Sequence, residues 1–330
     1  MTKLALTVAC WDYDRVRPLM DGRVQVEGMD LNILPTGPEE TFYRAFKHAE
    51  FELSELSLSS TLMQMSRGTC AYTPIPVFPS RSFRHSCIYV RADGEIQKPS
   101  DMKGKRVAIS EYQVTAAMVV RGILQDEYQV KPSDIRWVQA GLEQAGREDK
   151  VLWTPPEGVV IEKVADRSIV EMLDAGEIDA LVTPRAPSNF DPSGTGPIRR
   201  MFPDHDRTEA EYYAKTGIFP VMHVLGIRND VLDAHPWVAV SLVKAFTQAK
   251  DVALHDLNET AALKTSLPFL PAHVSQAVQM IGHDFWPYGL EANRRTLEAQ
   301  LRWSFEQRLS TRHLSIEELF APQSTSAFKI

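Results

Sequence analysis

The chain has 330 residues, 44% of them hydrophobic and 24% charged, with a formal net charge of -7 at neutral pH. That length allows two lobes or one large domain with a substantial buried core, and the composition is ordinary for a soluble globular protein. The negative balance argues against a nucleic-acid or anionic-membrane surface while leaving room for a local basic pocket.

In the opening MTKLALTVAC, Leu4, Leu6 and Val8 alternate with Ala5, Thr7 and Ala9, and WDYDR follows at once. A secretory signal has a basic start, an apolar run of roughly 7–15 residues and a small-residue cleavage site. The segment therefore reads as a first strand and the protein as cytoplasmic. No stretch reaches the roughly 18 apolar residues of a membrane span. Cys10, Cys70 and Cys87 are odd in number and lack CxxC spacing, so they read as small buried hydrophobes rather than a disulfide framework or a zinc site.

VQVEGMDLNIL carries alternating apolar positions on either side of Gly28. PEETFYRAFKHAE opens with a proline and two acids and places Phe42, Ala45, Phe46 and Ala49 at helical spacing. FELSELSLSS returns to period two, Leu56 and Leu58 alternating with Ser57 and Ser59, and TLMQMSRG is a short helix stopped by Gly68. CIYVRAD and KRVAI are strands, the second after a linker marked by Pro99, Asp101 and Gly104. SEYQVTAAMVVRGILQDEY is the clearest helix, with Ser110 and Gln113 as a capping box. DIRWVQA is a strand, and RSIVEMLDAGEIDALVTP is a helix, a stop at Gly176 and a strand. Residues 184–206 read as loop, GIFPVMHVLGIRNDVL as a strand, and the chain from Pro236 onward as helical, including 272–283 and 290–309.

Successive βα units followed by a helix-rich end predict an α/β protein with mainly parallel sheets. The expected division is a discontinuous lobe 1 (1–93 and 220–330) and a lobe 2 (94–219), with a ligand in the cleft at the hinge. The tail either packs on its own lobe or forms a subunit interface, and a homo-oligomer is expected.

CWDYDRVRPLMDGRV, FPSRSFRH, EYQVTAAMVVRGILQDEY, GEIDALVTPRAPSNF and YYAKTGIFPVMHVLGIRNDVL together resemble the 4,5-dihydroxyphthalate decarboxylase family, from about residue 4 to about residue 300. The resemblance implies a type II periplasmic-binding-protein-like fold of two α/β lobes, and a cytoplasmic enzyme converting 4,5-dihydroxyphthalate to 3,4-dihydroxybenzoate and carbon dioxide. The implied partner is a small aromatic dicarboxylate, with no nucleic acid or membrane. Two other readings use the same scaffold. One is a non-catalytic receptor for aromatic acids, which predicts an exported or anchored chain. The other is a different enzyme acting on a carboxylated ring, such as those of the menaquinone pathway.

The implied reaction sets the residue requirements. Losing carbon dioxide directly from an aromatic ring leaves an electron pair in an sp² orbital, which is unfavourable. Protonating the carboxylate-bearing carbon first avoids this, and each carboxylate lies para to a hydroxyl whose ionisation feeds that carbon. The site needs a proton donor, a group near the phenol and an anchor for the retained carboxylate, and it requires no organic cofactor. Arg81 and Arg84 each offer a planar fork for a carboxylate, and His85 titrates near neutrality. In an extended segment Arg81, Phe83 and His85 share one face and Arg84 faces away. Surface arginines and a structural histidine are the bland alternatives.

The helix start at SEYQVT is an anion site in outline. Gln113 and Thr115 are donors there and Glu111 is a proton carrier, unless Glu111 and Gln113 merely cap. Ser57 and Ser59 stand at a strand end, and Arg185 follows DALVTP at another, or else is a surface arginine. His223, on an apolar strand face expected beside CIYV, is the second histidine candidate, or else a core residue. Asp14, in the loop after the first strand with Asp12 and Tyr13, either accepts a phenolic proton or caps a turn. Asp12, His85 and His223 could together hold a divalent ion, but the HxH, HxxxH and HExxH spacings are absent, so no metal is expected. AGLEQAG does not match a dinucleotide fingerprint, and a GxSxG elbow is absent.

Overall fold

The computed structural model describes residues 3–147, 149, 151 and 153–325. In chain order the strands are β1 (Leu4–Ala9), β2 (Met29–Leu34), β3 (Leu53–Ser57), β4 (Tyr72–Arg81), β5 (Ile88–Arg91), β6 (Arg106–Ile109), β7 (Arg136–Gln139), β8 (Val160–Lys163), β9 (Ala180–Val182), β10 (Ile198–Arg200) and β11 (Val221–Arg228). They form two sheets, ordered β2-β1-β3-β11-β4 and β10-β5-β9-β6-β7-β8. Among the described residues no helix is long and apolar enough to cross a membrane.

Both sheets are mixed rather than mainly parallel. β1 runs parallel to β2 and β3, and β6 runs parallel to β7 and β9. β11 is antiparallel to both β3 and β4, and β5 is antiparallel to β9 and β10. The returning strand reverses direction because it re-enters the first sheet from the second. β5 lies in the second sheet, so the chain crosses between Arg81 and Ile88, ahead of residue 93.

Residues 184–206, read as loop, contain β10 and the start of the helix His205–Thr216, and two segments near the cleft also depart from their sequence pattern. The Leu–Ser alternation suggested a strand running to Ser60, but β3 ends at Ser57 and a helix spans Leu58–Ser66. Leu58 and Leu62, four residues apart, are both buried, so helical rather than period-two burial decides this stretch. The second departure is at 110–114, a turn instead of a capped first turn. The helix begins at Thr115 with Val114 as N-cap and no side-chain cap.

β4 contains Pro74, Pro76 and Pro79 and gave no clear strand signal. It is tolerated as the edge of its sheet, where missing N–H groups cost no ladder bond on the outer side. The outward carbonyls of Pro74 and Pro76 accept from the Ala321 and Gly289 N–H groups, so the tail covers this edge.

The tail packs on its own lobe. Val238, Leu242, Phe246, Leu297 and Phe320 share a core with Leu6, Leu53, Val77 and Leu225. Trp303 and Leu309 of the tail reach the other core. Trp303, on the helix Arg294–Glu306, lies among Val119, Ile123 and Met222. It fits because position 122 is glycine, where an added Cβ would stand 2.3–2.6 Å from three indole carbons. Gly122→Ala should therefore destabilise by about 1–3 kcal/mol through overpacking, outweighing the helix-propensity gain of about 1 kcal/mol. A lowered urea midpoint at unchanged slope checks this.

Candidate active site

Between the sheets lies a cleft of about 570 Å³ lined by residues from the connections of both sheets. One wall is made by two helix starts. Ser57 ends β3, and its hydroxyl lies 3.0 Å from that of Thr115, the first residue of the helix Thr115–Tyr128. The Ser59 N–H donates to the same Thr115 oxygen at 3.1 Å. The N-termini of the helices Leu58–Ser66 and Thr115–Tyr128 therefore meet at this wall, with Ser57, Ser60, Val114, Thr115 and Ala116 on the cleft surface. Two positive dipole ends at one surface favour an anion.

His223 enters from β11. Its register partner on β3 is Ser57, while Leu225 lies opposite Glu55. His223 and Glu55 are thus diagonal neighbours on adjacent strands, within reach of long side chains. Nδ1 of His223 lies 2.5 Å from Glu55 Oε1. The Tyr13 hydroxyl donates to the same oxygen at 2.7 Å, and the Trp11 N–H donates to Oε2 at 2.9 Å. Burial opposes the charge of this fully buried carboxylate, but His223 and the two other donors, Trp11 and Tyr13, hold its carboxyl below the usual range. Burial, then the adjacent Glu55, push the Tyr13 phenol far up, so Tyr13 stays a donor. With Nδ1 engaged, Nε2 is the imidazole nitrogen left for the cleft. Phe42 sets its ring edge-to-face against the imidazole at 4.8 Å.

Three guanidiniums and one imidazole line the cleft: Arg84, Arg147, Arg185 and His223. Arg147 is committed to carboxylates, contacting Glu111 at 2.6 Å and Glu39 at 3.4 Å. Arg84 meets only sulfur, with Nε 3.0 Å from Met222 Sδ and Nη1 3.5 Å from Cys87 Sγ. Arg185 is exposed at the end of β9, its backbone N–H bonded to the Thr183 hydroxyl. Among the described residues, neither guanidinium has a carboxylate partner.

A curated protein of Comamonas testosteroni named 4,5-dihydroxyphthalate decarboxylase is 45% identical over 331 residues, covering all of both chains. The chain belongs to the 4,5-dihydroxyphthalate decarboxylase family. A Pseudomonas putida protein of the same name is 42% identical over 214 residues, 64% of this chain and 83% of that one. A family model described as NMT1/THI5 like matches residues 25–151. The fold is that of periplasmic binding proteins. The aliphatic sulphonate binding protein SsuA of Escherichia coli superposes with a TM-score of 0.52 at 14% identity, covering 97% of this chain and 98% of that one. A putative sulfonate-binding protein of Methylobacillus flagellatus gives 0.53 at 11% identity, covering 97% and 92%.

In this decarboxylase-family cleft, six residues singled out in the sequence come together: Ser57, Arg84, Glu111, Thr115, Arg185 and His223. His223 arrives by a different route from the one expected. β11 lies between β3 and β4, not beside β5, and the histidine reaches the cleft next to Ser57. Five candidates do not line it. Arg81 is buried, its guanidinium donating to the carbonyls of Phe219 at 2.7 Å and Pro287 at 3.0 Å and lying over the Phe219 ring. Burial lowers its pKa to about 10. Asp14 is exposed and paired with its neighbour Arg15 at 2.9 Å. Ser59 is fully buried, and Gln113 turns its amide N–H to Glu111 at 3.2 Å rather than capping the helix.

His85 is the fifth. It begins a short 3-10 turn, His85–Cys87, packed edge-on against Phe202 and Tyr212, and neither ring nitrogen has a hydrogen-bond partner among the described residues. Burial lowers its pKa from 6.5 to about 4. The unfolded chain therefore binds an extra proton between those values. The neutral ring contributes its full stability above pH 6.5, and that contribution falls away as pH drops toward 4, by about 3 kcal/mol in all. His85→Phe should flatten this part of the stability–pH curve in urea titrations and leave kcat unchanged. Asp12 is also elsewhere, in an exposed pair with Arg17 at 2.7 Å. Among the described residues no group of three or more His, Cys, Asp or Glu side chains is disposed to hold a metal ion.

Three functional candidates escaped the sequence reading: Glu55, Ser60 and Arg147. Glu55 had a signal, since it shares parity with Ser57 in a strand otherwise patterned for burial. Arg147 had none, because it comes from an irregular loop.

Proposed function

We propose that this chain decarboxylates 4,5-dihydroxyphthalate to 3,4-dihydroxybenzoate, with the chemistry in the cleft between the two sheets. The juxtaposition that carries this reading is two guanidiniums without carboxylate partners, Arg84 and Arg185, in one cleft with a histidine backed by a buried carboxylate. Full-length kinship to a protein of that name supports the substrate. Arg84 and Arg185 take the two carboxylates, aided by the helix starts at Ser57 and Thr115. Glu111, held by Arg147 and Gln113, takes the phenolic proton. Phenolate density moves to the para carbon, which removes the proton from His223 Nε2. The carbon–carboxylate bond then breaks, its electron pair restores the aromatic phenolate, carbon dioxide leaves, and Glu111 returns its proton to the phenolate oxygen. One solvent proton is consumed per turnover, and His223 is recharged through the cleft.

A cytoplasmic homo-oligomer completes the reading. Three free cysteines suit a reducing compartment, and the exposed Leu263, Leu267 and Phe269 offer an apolar contact. Cell fractionation and light scattering check each part. For the reaction, purified protein is incubated with the diacid, with carbon dioxide release and the catechol acid measured. Turnover is expected. Tight binding without turnover would instead make the chain a receptor.

A further inference from the structure

Glu55 is a carboxylate at the centre of a sheet, fully buried, on a strand whose other members Leu53 and Leu56 are core residues. Placing a charge there costs several kcal/mol unless it is paired and hydrogen-bonded. Its surroundings meet that condition from three directions. β11 supplies the imidazole of His223, the backbone after β1 supplies the Trp11 N–H, and the loop beyond supplies the Tyr13 hydroxyl. Three donors converge on two oxygens, and the one on a cleft-lining side chain is the imidazole.

We infer that Glu55 is a positioning residue for proton transfer, holding His223 with its Nδ1 proton inward and Nε2 toward the ring carbon, with Tyr13 fixing the carboxylate in turn. The inference rests on the proposed decarboxylation and extends it to residues that touch no substrate. Glu55 stays ionised throughout. The Nε2–H bond breaks as the C–H bond forms, and the imidazolium becomes neutral imidazole beside an unchanged carboxylate. Without the carboxylate, the ring is free to keep its proton on the wrong nitrogen, and the imidazolium loses its counter-charge. The same logic makes the third member of a serine-protease triad matter without itself titrating. Tyr13 donates to the same Oε1 with its hydroxyl 3.5 Å from His223 Nδ1, and Arg15 is stacked 4.2 Å from the Tyr13 ring centroid with Ser80 beside it. Cys10 is the other titratable group against the carboxylate, and Arg84, Glu111 and Arg147 face it across the cleft.

The test compares Glu55→Gln and Tyr13→Phe with the wild type in steady-state decarboxylation and by ¹⁵N NMR of the histidine rings. His223→Asn serves to assign the His223 signals. In the wild type, His223 should carry its proton on Nδ1 when neutral. Glu55→Gln should shift it to the mixed or Nε2-protonated form, cut kcat by on the order of 10³–10⁴-fold, and leave KM within a few-fold. Tyr13→Phe, which removes one hydroxyl from a half-buried site, should lower kcat by roughly ten-fold, the equivalent of one hydrogen bond, with the tautomer kept. A Glu55→Gln enzyme with wild-type kcat, or an unchanged His223 tautomer, overturns the inference. If Glu55→Gln does not fold, undiminished kcat in Tyr13→Phe overturns the relay. Absence of turnover by the wild type sinks the proposed function instead, and the tautomer shift then still decides whether Glu55 orients His223.

Discussion

Replacing His223 with asparagine is expected to lower kcat by about 10²–10⁴-fold, the range that a positioned general acid supplies, with KM changed only a few-fold. Asparagine keeps a hydrogen-bonding side chain of similar reach at a position where β11 is irregularly registered against β4. The proposed carboxylate anchors, Arg84 and Arg185, lie outside β11, in the segments that follow β4 and β9. The loss should therefore fall on the chemical step. The contrast with His85 makes the result specific. That histidine sits in an aromatic cage outside the cleft, and its replacement should leave turnover intact. Single-turnover measurements separate proton delivery from binding. A His223→Asn enzyme retaining more than a tenth of wild-type kcat would remove the histidine from the proton-donor role.

The second large effect is on binding. Arg84→Ala should raise KM for the diacid by roughly 30–5000-fold, since truncating one partner of a desolvated charge pair costs about 2–5 kcal/mol. In the protein without substrate the Arg84 guanidinium rests on Met222 and Cys87, soft acceptors that compete weakly with a carboxylate. The charge is thus held in place at little cost to its availability. Arg84→Lys should recover only part of the loss, because an ammonium cannot make the two parallel bonds of a guanidinium. A mono-acid analogue should lose less from the substitution than the diacid if Arg84 grips the carboxylate the analogue lacks. Isothermal titration with both ligands reads this directly. Equal affinity of wild type and Arg84→Ala for the diacid is the result that overturns the anchor.

Much of the architecture was legible in the residues. The helix of Pro38–His48 follows from its proline and acids at the start and its apolar spacing. The Gly176 stop, with φ of +72°, divides the helix Ile169–Asp174 from β9 as its sequence suggests. Of the strands that slipped through, β8 and β10 are short, and β4 was hidden by three prolines, which only an edge position and covering tail segments make tolerable. The basic cluster Arg81, Arg84 and His85 reads in sequence as one site, yet its members diverge. β4 ends at Arg81 and the 3-10 turn begins at His85, so alternation does not carry across the intervening bend. Arg81 turns into the core, His85 into an aromatic cage and Arg84 into the cleft.

The sequence by itself determined which local elements form and which chemistry the chain carries, because periodicity, capping residues and long shared motifs are properties of neighbouring residues. Which side chains meet was decided by the tertiary structure alone. Glu55 and His223 are 168 positions apart and touch only because β11 returns antiparallel between β3 and β4. Ser57 and Thr115 belong to different sheets' connections and meet only where the two helix starts converge. Local pattern sets the direction of a side chain relative to its own strand or helix. The packing of distant segments, driven by burial of their shared apolar faces, sets what that side chain finds there.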